Sequence, residues 1–137
     1  MQENQFENTR APIPKRVEEV ATITVDAAFS VHKEIGPGLL ESAYEACLEE
    51  ELKSRGLNVK TQIKLPISYK RLELKDAYRI DLLVDDCLVV EIKSVETIQF
   101  VHKQQVLTYL RFSGHRLGLL INFNAGLIKD GIKRVIL

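Results

Sequence analysis

The stretch IDLLVDDCLVVEIKS, residues 80–94, constrains the fold of this chain more than any other part. Two apolar, β-branched runs flank a short acidic turn, which is typical of an antiparallel hairpin. Asp81, Glu91 and Lys93 place charge inside these otherwise apolar strands. Because polar groups in a buried sheet need partners, the three residues are candidates for a functional site.

Strand alternation assigns each residue of this hairpin to one face of the sheet. Asp81 shares its face with Arg79 and Leu83. In the second strand Glu91 and Lys93 share a face with Val89. The other face of the first strand holds the remaining residues of the run, Tyr78, Ile80, Leu82 and Val84.

The length of the hairpin loop decides whether the two carboxylates meet. A loop with an odd number of residues, such as Asp85-Asp86-Cys87, places Asp81 opposite Glu91 with both side chains on one face. A two-residue loop places them on opposite faces instead. If the carboxylates do meet, their repulsion is relieved by the ammonium of Lys93 or by a divalent cation.

The rest of the chain alternates between helical and strand periodicity, with no internal repeat. Two helices come first and meet at Gly36-Pro37-Gly38, three antiparallel strands follow, and a further helix leads to two strands. The predicted order is ααβββαββ. The predicted helices cover 17–35, 39–55 and 97–112, and the predicted strands lie in NVKTQIKLPISY, LELKDAYRIDLLV, CLVVEIKS, RLGLLINF and IKRVIL.

Length and composition predict one globular domain at 17–137 that follows a flexible polar arm at 1–16. Nineteen basic and nineteen acidic residues cancel, so bulk charge neither indicates nor excludes nucleic acid. The sequence shows no long apolar run and no signal-peptide pattern, so we expect a cytoplasmic protein without membrane contact. Cys47 and Cys87 lack metal-binding spacing and are expected to be reduced and without a role.

Two helical residues also carry polar groups toward predicted apolar faces. Glu41 falls on a helical wheel with Tyr44, Leu48 and Leu52. Gln105 is surrounded on its helix by Ile98, Val101, Tyr109 and Phe112. A helix N-terminus favours an acidic residue such as Glu41, and a core amide with satisfied hydrogen bonds would account for Gln105, so each residue alone also has a purely structural explanation.

Taken together, a helical Glu, an Asp, an ExK triplet and a helical Gln resemble the PD-(D/E)xK nuclease superfamily. Gly38, Glu41 and Tyr44 in GLLESAY match the motif of the GxxExxY protein family within it. The name-giving Pro-Asp is here Ile80-Asp81. The resemblance runs from about Val17 to the end and includes VHKEIGPGLLESAY, YRIDLLV, VVEIKS, QVLTYL and GLLINF. It implies an α+β fold with a restriction-endonuclease-like core, in which helices flank a central mixed sheet of four to five strands.

The resemblance further implies Mg²⁺-dependent or Mn²⁺-dependent hydrolysis of phosphodiester bonds in DNA or RNA. Its metal ligands would be Asp81, Glu91 and the backbone carbonyl of Ile92, and hard oxygen ligands suit Mg²⁺. Lys93 would orient or help deprotonate the attacking water. Glu41 would bind a water of the metal or a second ion, and Gln105 would orient the water or Lys93.

Two other possibilities remain at this stage. A noncatalytic module that keeps the nuclease fold could bind nucleic acid or protein, although every position of the catalytic set is filled in this chain. A different phosphate-containing substrate would use the same site. A homodimer is possible, and the sequence does not choose between DNA and RNA.

Core packing is the simpler explanation for Tyr44 and Tyr109, and His32 and His102 are expected to be structural or exposed.

Overall fold

The computed structural model describes residues 11–137, in which three helices flank one five-stranded sheet. A short 3₁₀ turn, Ile128–Gly131, precedes the last strand. The element order ααβββαββ is therefore confirmed. The helices are α1 Lys15–Ile35, α2 Glu41–Ser54 and α3 Phe100–Ser113, and the strands are β1 Val59–Tyr69, β2 Leu72–Val84, β3 Leu88–Lys93, β4 Leu117–Asn122 and β5 Ile132–Ile136.

The sheet has the strand order β1-β2-β3-β4-β5 and is mixed. β1, β2 and β3 are antiparallel neighbours, β3 and β4 run parallel, and β5 is antiparallel to β4. The parallel step requires a crossover, and α3 supplies it. All six residues of β4 are buried, as expected of a central strand that is covered on both faces.

Each face of the sheet packs against its own helical layer. Residues of α1 and α2 form one apolar cluster with Val90 and Ile92 of β3. Residues of α3 form a second cluster with Val89 of β3 and Leu120 of β4. Because side chains alternate along β3, Glu91 and Lys93 belong to the face that α3 covers.

The corner between α1 and α2 is held by the first buried aromatic residue of α2. The Tyr44 hydroxyl donates a hydrogen bond to the Gly36 carbonyl at 2.6 Å and accepts one from the Leu39 amide at 3.1 Å. Its ring stacks on Phe123 with centroids 4.6 Å apart. Gly36 and Gly38 have φ of 76° and 109°, which explains the glycines of this corner. Tyr44 therefore has the packing role expected of it.

Helix α3 lies close to the sheet because β4 offers a glycine beneath it. A Cβ atom at Gly118 would come within 2.6 Å of a Val106 side-chain methyl. The buried face of α3 is Val106, Tyr109 and Leu110, whereas Val101 and Phe112 are exposed. The prediction that Val101 and Phe112 pack around Gln105 is therefore wrong, because both side chains lie outside the buried face of the helix.

The described part of the chain departs from the sequence prediction at the ends of elements. Helix α1 begins at Lys15, two residues before the predicted start, and the first ten residues of the predicted arm lie outside the described residues. Within residues 11–137, no helix combines the length and apolar character that a membrane crossing requires.

Candidate active site

Asp81 and Glu91 stand opposite each other where β2 separates from β3. The two strands pair through Leu82 with Val90, Leu83 with Val89 and Val84 with Leu88, which leaves a three-residue loop. The next pair in this register is Asp81 with Glu91. An Asp81 carboxylate oxygen accepts a hydrogen bond from the Ile92 amide at 2.8 Å. At this point a side-chain hydrogen bond therefore takes the place of a backbone hydrogen bond between β2 and β3. The hairpin therefore has the odd-numbered loop of the two alternatives, and this loop brings the two carboxylates together.

The regular alternation of side chains between the two faces of β2 does not continue from Leu82 through Asp81 to Ile80. Tyr78 and Ile80 pack with the cluster under α3, together with Leu83, and not with Leu82 and Val84 as predicted. Two irregularities accompany this change. The pairing of β2 with β3 ends at Leu82. Gln62, the residue of β1 that lies between the partners of Leu82 and Ile80 and so opposite Asp81, has a φ of 51°. Regular alternation therefore ends at Asp81.

Glu91 is a buried carboxyl group in an otherwise apolar face. Its side chain lies beneath α3 and the residue is 4% exposed. Burial, followed by the hydrogen bond and the charge of the neighbouring Asp81 carboxyl, raises the pKa of Glu91 to about 9. The Lys93 ammonium and the Tyr109 hydroxyl act in the opposite direction. At neutral pH, the Asp81–Glu91 pair therefore holds a proton that a bound cation would displace.

Tyr109 links Glu91 to the aromatic residue at the base of the β1–β2 hairpin. Burial, followed by the charge of Glu91, raises the pKa of the Tyr109 hydroxyl, which therefore stays protonated and is available as a donor. Its ring packs edge to face with Tyr78 at a centroid distance of 5.7 Å. Tyr109 thus combines the predicted core packing with a contact to a site carboxyl group.

The end of β3 that carries Lys93 is fixed by a buried asparagine of β4. Asn122 pairs with Lys93 in the parallel register. The Asn122 side chain accepts hydrogen bonds from the Val95 and Asn124 amides at 3.1 and 3.2 Å and donates one to the Val95 carbonyl at 2.9 Å. Sequence reasoning missed this residue, because its importance depends on the parallel pairing of β3 with β4.

Gln105 carries a buried side-chain oxygen that has no partner. Its residue is half-buried on α3, one turn before Tyr109, and its Oε1 atom makes no hydrogen bond within the described residues. A buried acceptor without a partner costs about 1 to 3 kcal/mol. This observation favours a functional explanation for Gln105 over that of a core amide with satisfied hydrogen bonds, because the latter requires a partner.

Glu41 shares the angular position of the apolar arc of α2, as the helical wheel predicted, but it is not buried. It is the first residue of the helix, so its side chain projects beyond the buried face, and the residue is exposed. Glu41 lines a shallow surface cleft with Leu39, Leu40 and Ser94. Ser94 follows Lys93 directly and donates a hydrogen bond to the Leu39 carbonyl at 2.7 Å. The cleft therefore adjoins the end of β3.

A second carboxylate of α2, Glu45, approaches Asp81 instead. The Gln62 amide donates a hydrogen bond to Glu45 at 2.6 Å and a longer one to Asp81 at 3.4 Å. Burial raises the pKa of Glu45, and the charge of Asp81 contributes to the increase. The only sequence signal was the position of Glu45 one turn after Glu41. The contact itself depends on the left-handed backbone of Gln62, which a propensity argument does not predict.

The donor set at this position fits a hard divalent cation better than zinc. Asp81 and Glu91 supply carboxylate oxygens from adjacent strands, and the Ile92 carbonyl lies next to Glu91 in the chain. No group of three or more His, Cys, Asp or Glu side chains with metal-binding geometry occurs among residues 11–137. A site built on two carboxylates, a carbonyl and water suits Mg²⁺, which keeps several of its waters when bound.

One of three comparisons with known proteins found a match. A family model described as the PD-(D/E)XK nuclease superfamily matches residues 18–135, which is nearly all of the described chain. No curated protein and no solved structure matches the chain significantly. A mixed five-stranded sheet between helical layers is consistent with the restriction-endonuclease-like core. The chain belongs to the PD-(D/E)XK nuclease superfamily.

Proposed function

We propose that this protein is a Mg²⁺-dependent or Mn²⁺-dependent phosphodiesterase that hydrolyses DNA or RNA. The observation that carries the proposal is the pair formed by the buried Glu91 and the half-buried Asp81 beside Lys93, in which the pKa of Glu91 is raised to about 9. A buried carboxyl group next to a second carboxyl group destabilises a fold unless a proton or a cation compensates it. Membership of a nuclease superfamily supports the choice of a metal ion and of a phosphodiester substrate.

In this proposal Asp81, Glu91 and the Ile92 carbonyl hold the cation. The cation supplies Lewis-acid polarisation of the scissile phosphate and lowers the pKa of the attacking water. Glu91 binds it as a carboxylate, so its proton leaves the site on binding. Asn122 is a positioning residue, because it fixes the loop that follows Lys93.

Lys93 orients the attacking water and offsets the negative charge that develops on the phosphate. Water attacks phosphorus, one P–O bond breaks, and the leaving oxygen takes up a proton. The free Oε1 of Gln105 accepts a hydrogen bond from this water or from Lys93, which satisfies an atom that otherwise lacks a partner. Glu41 binds a water of the cation or a second ion from the surface cleft.

We also propose that the chain belongs to the narrower GxxExxY group. Gly38 has a φ of 109°, and the Tyr44 hydroxyl bonds to both sides of the corner that precedes α2. These two positions of the motif thus have a structural explanation in the corner. Glu41, the middle residue of the motif, is exposed beside Ser94, which is consistent with a role in binding rather than in packing.

The test of the proposed function is hydrolysis by the purified protein with and without Mg²⁺. Substrates are single-stranded, duplex and branched DNA, RNA, and the small diester bis(4-nitrophenyl) phosphate. We expect hydrolysis of the small diester and of at least one nucleic acid, and both activities should require the metal. Asp81→Asn keeps the side-chain size and an acceptor for the Ile92 amide but removes a charge that the cation needs, so it should abolish both activities.

The matched control is Asp130→Asn, which removes an exposed carboxylate from the 3₁₀ turn. It should leave hydrolysis unchanged. Wild-type protein that cleaves none of these substrates at any Mg²⁺ or Mn²⁺ concentration would contradict the enzyme proposal. Nucleic-acid binding that persists without hydrolysis and does not respond to Mg²⁺ would favour the noncatalytic module.

A further inference from the structure

The segment between Gln62 and Asp81, residues 63–80, extends beyond the sheet as a two-stranded arm. β2 pairs with β3 only from Leu82 onward, whereas its pairing with β1 continues to Leu72. Between residues 66 and 76 every residue except Ile67 is exposed. At about 3.4 Å per residue, the arm is roughly 30 Å long. Neither helical layer covers its outer half.

The arm is the basic part of a chain whose net charge is zero. It contains five basic and two acidic residues, a balance of +3, so the other residues together carry −3. Lys64 forms an ion pair with Asp76 at 3.3 Å. No ion pair within residues 11–137 involves the other four cations. The basic residues of the arm are Lys64, Lys70, Arg71, Lys75 and Arg79, and the acidic residues are Glu73 and Asp76.

The tip of the arm adds exposed apolar groups to this charge. Tyr69 is 64% exposed, and the Lys70 ammonium lies 5.4 Å from the centroid of its ring. Leu72 and Leu74 are also exposed on the returning strand. An isolated two-stranded hairpin is only marginally stable in water, and exposed apolar side chains indicate a surface that a partner covers.

The edge of the arm is poorly suited to pairing with another β-strand. β1 is an edge strand of the sheet. It carries Lys60, Lys64 and Pro66, and charged residues and proline on an edge oppose the addition of a further strand. The partner is therefore not a second copy of this chain joined by strand addition. A polyanion, in contrast, is attracted by the four cations of the arm that form no ion pair within residues 11–137.

The base of the arm contacts the candidate active site at two points. Tyr78 packs edge to face on Tyr109, which interacts with Glu91. Arg79 lies two residues before Asp81, and its positive charge partly opposes the increase that burial causes in the pKa of Glu45. A linear polyanion lying along the arm would therefore reach the two carboxylates at its base.

We propose that the arm binds the phosphate backbone of a nucleic acid and guides it to Asp81 and Glu91. The proposal deepens the proposed function and rests on it for the identity of the substrate. Lysine and arginine side chains bind phosphates without reading sequence, and the exposed Tyr69 ring offers a surface on which a base stacks. The neutral net charge of the whole chain concealed this surface in the composition.

The test removes three exposed cations of the arm that form no ion pair within the described residues. The variant is Lys70→Gln/Arg71→Gln/Lys75→Gln. Its matched control, Lys15→Gln/Lys33→Gln/Lys129→Gln, removes three exposed lysines from the opposite layer of the fold. Binding is measured in EDTA at several salt concentrations with short single-stranded and duplex DNA and RNA. The four probes show which nucleic acid the arm binds most tightly.

We expect the arm variant to lose about tenfold or more in affinity for the preferred probe and its salt slope to fall by about two to three, one for each lost phosphate contact. The control should change affinity by less than about twofold, because its lysines are not at the binding surface. Equal losses in both variants, or no loss in the arm variant, would overturn the proposal. So would wild-type protein that binds none of the probes, or a dimer that only the arm variant fails to form.

Hydrolysis of bis(4-nitrophenyl) phosphate separates this proposal from the proposed function, because the small diester does not extend along the arm. The arm variant should hydrolyse it at the wild-type rate, whereas Asp81→Asn should not hydrolyse it. Arm-dependent binding without any hydrolysis supports the arm and contradicts the enzyme. Hydrolysis of the small diester with arm-independent binding supports the enzyme and contradicts the arm.

Discussion

Replacement of Lys93 by Met is expected to lower the rate of phosphodiester hydrolysis by about two to four orders of magnitude, the range for loss of a positioned proton-transfer or electrostatic group. Methionine keeps most of the apolar stem but has no ammonium. The two carboxylates remain, so Mg²⁺ binding should survive. Since the charge of Lys93 lowers the pKa of Glu91, its loss raises that pKa further. The proton on Glu91 should then compete more strongly with Mg²⁺ at neutral pH, so the variant needs a higher Mg²⁺ concentration for saturation there than at pH 9.

The measurement is single-turnover hydrolysis at saturating Mg²⁺, which separates the rate of the chemical step from metal affinity. Lys33→Met is the matched control, because Lys33 is exposed on α1 and lies in the other helical layer. Its rate should equal that of the wild type. A Lys93→Met variant with an undiminished rate at saturating Mg²⁺ would show that the lysine has no catalytic role, even if Asp81→Asn is inactive.

Replacement of Glu91 by Gln is expected to stabilise the metal-free protein at alkaline pH. The pKa of Glu91 is about 9 in the folded protein and 4.5 as a model value. Between these values the folded state binds a proton that the unfolded state has lost. The free energy of unfolding therefore falls as pH rises through this window, by up to about 1.4 kcal/mol per pH unit, and levels off above pH 9. Glutamine is neutral throughout and does not contribute this loss.

The measurement is thermal unfolding in EDTA from pH 5 to pH 9. Wild type and Glu91→Gln should have similar Tm values at pH 5, and the variant should melt higher at pH 8 by about 5 °C or more. Glu50→Gln, which changes an exposed carboxylate of α2, should follow the wild type at every pH. Parallel curves of Tm against pH for wild type and Glu91→Gln would mean that Glu91 titrates normally. The claim that the Asp81–Glu91 pair holds a proton at neutral pH would then be wrong.

The sequence was sufficient to predict the elements, and it predicted the meeting of Asp81 with Glu91 on condition that the hairpin loop has an odd number of residues. Both depend on local rules, because helical and strand periodicity define the elements and the three-residue loop fixes the register of the hairpin. The four remaining candidates were identified from the sequence pattern together with the family resemblance, and their roles stay predictions. Their surroundings do not follow from the sequence pattern, since these depend on contacts between residues that are distant in the chain.

Three features show what the local rules miss. A helical wheel assumes a complete helix, so it placed Glu41 on the apolar arc although α2 starts at that residue. Glu45 reaches Asp81 only because Gln62 adopts a left-handed backbone, which costs about 1 kcal/mol and is set by tertiary packing. Asn122 acts on Lys93 only through the parallel pairing of β3 with β4.

The arm was hidden for a different reason. Its residues form ordinary strand sequences, and alternation along a strand indicates which residues share a face but not whether anything covers that face. The exposure of residues 66–76 depends on the early end of the β2–β3 pairing and on the short reach of α3. The charge of the arm is visible only when this segment is counted apart from the rest of the chain.

The proposed exchange of a proton of the Asp81–Glu91 pair for a divalent cation can be measured by calorimetric titration with Mg²⁺ at pH 7. Titrations in two buffers of different ionisation enthalpy give the number of protons released. We expect saturable binding to wild type with release of close to one proton for each Mg²⁺, and no detectable binding to Asp81→Asn. Absence of saturable binding, or binding that is unchanged in Asp81→Asn and releases no proton, would contradict the proposed exchange.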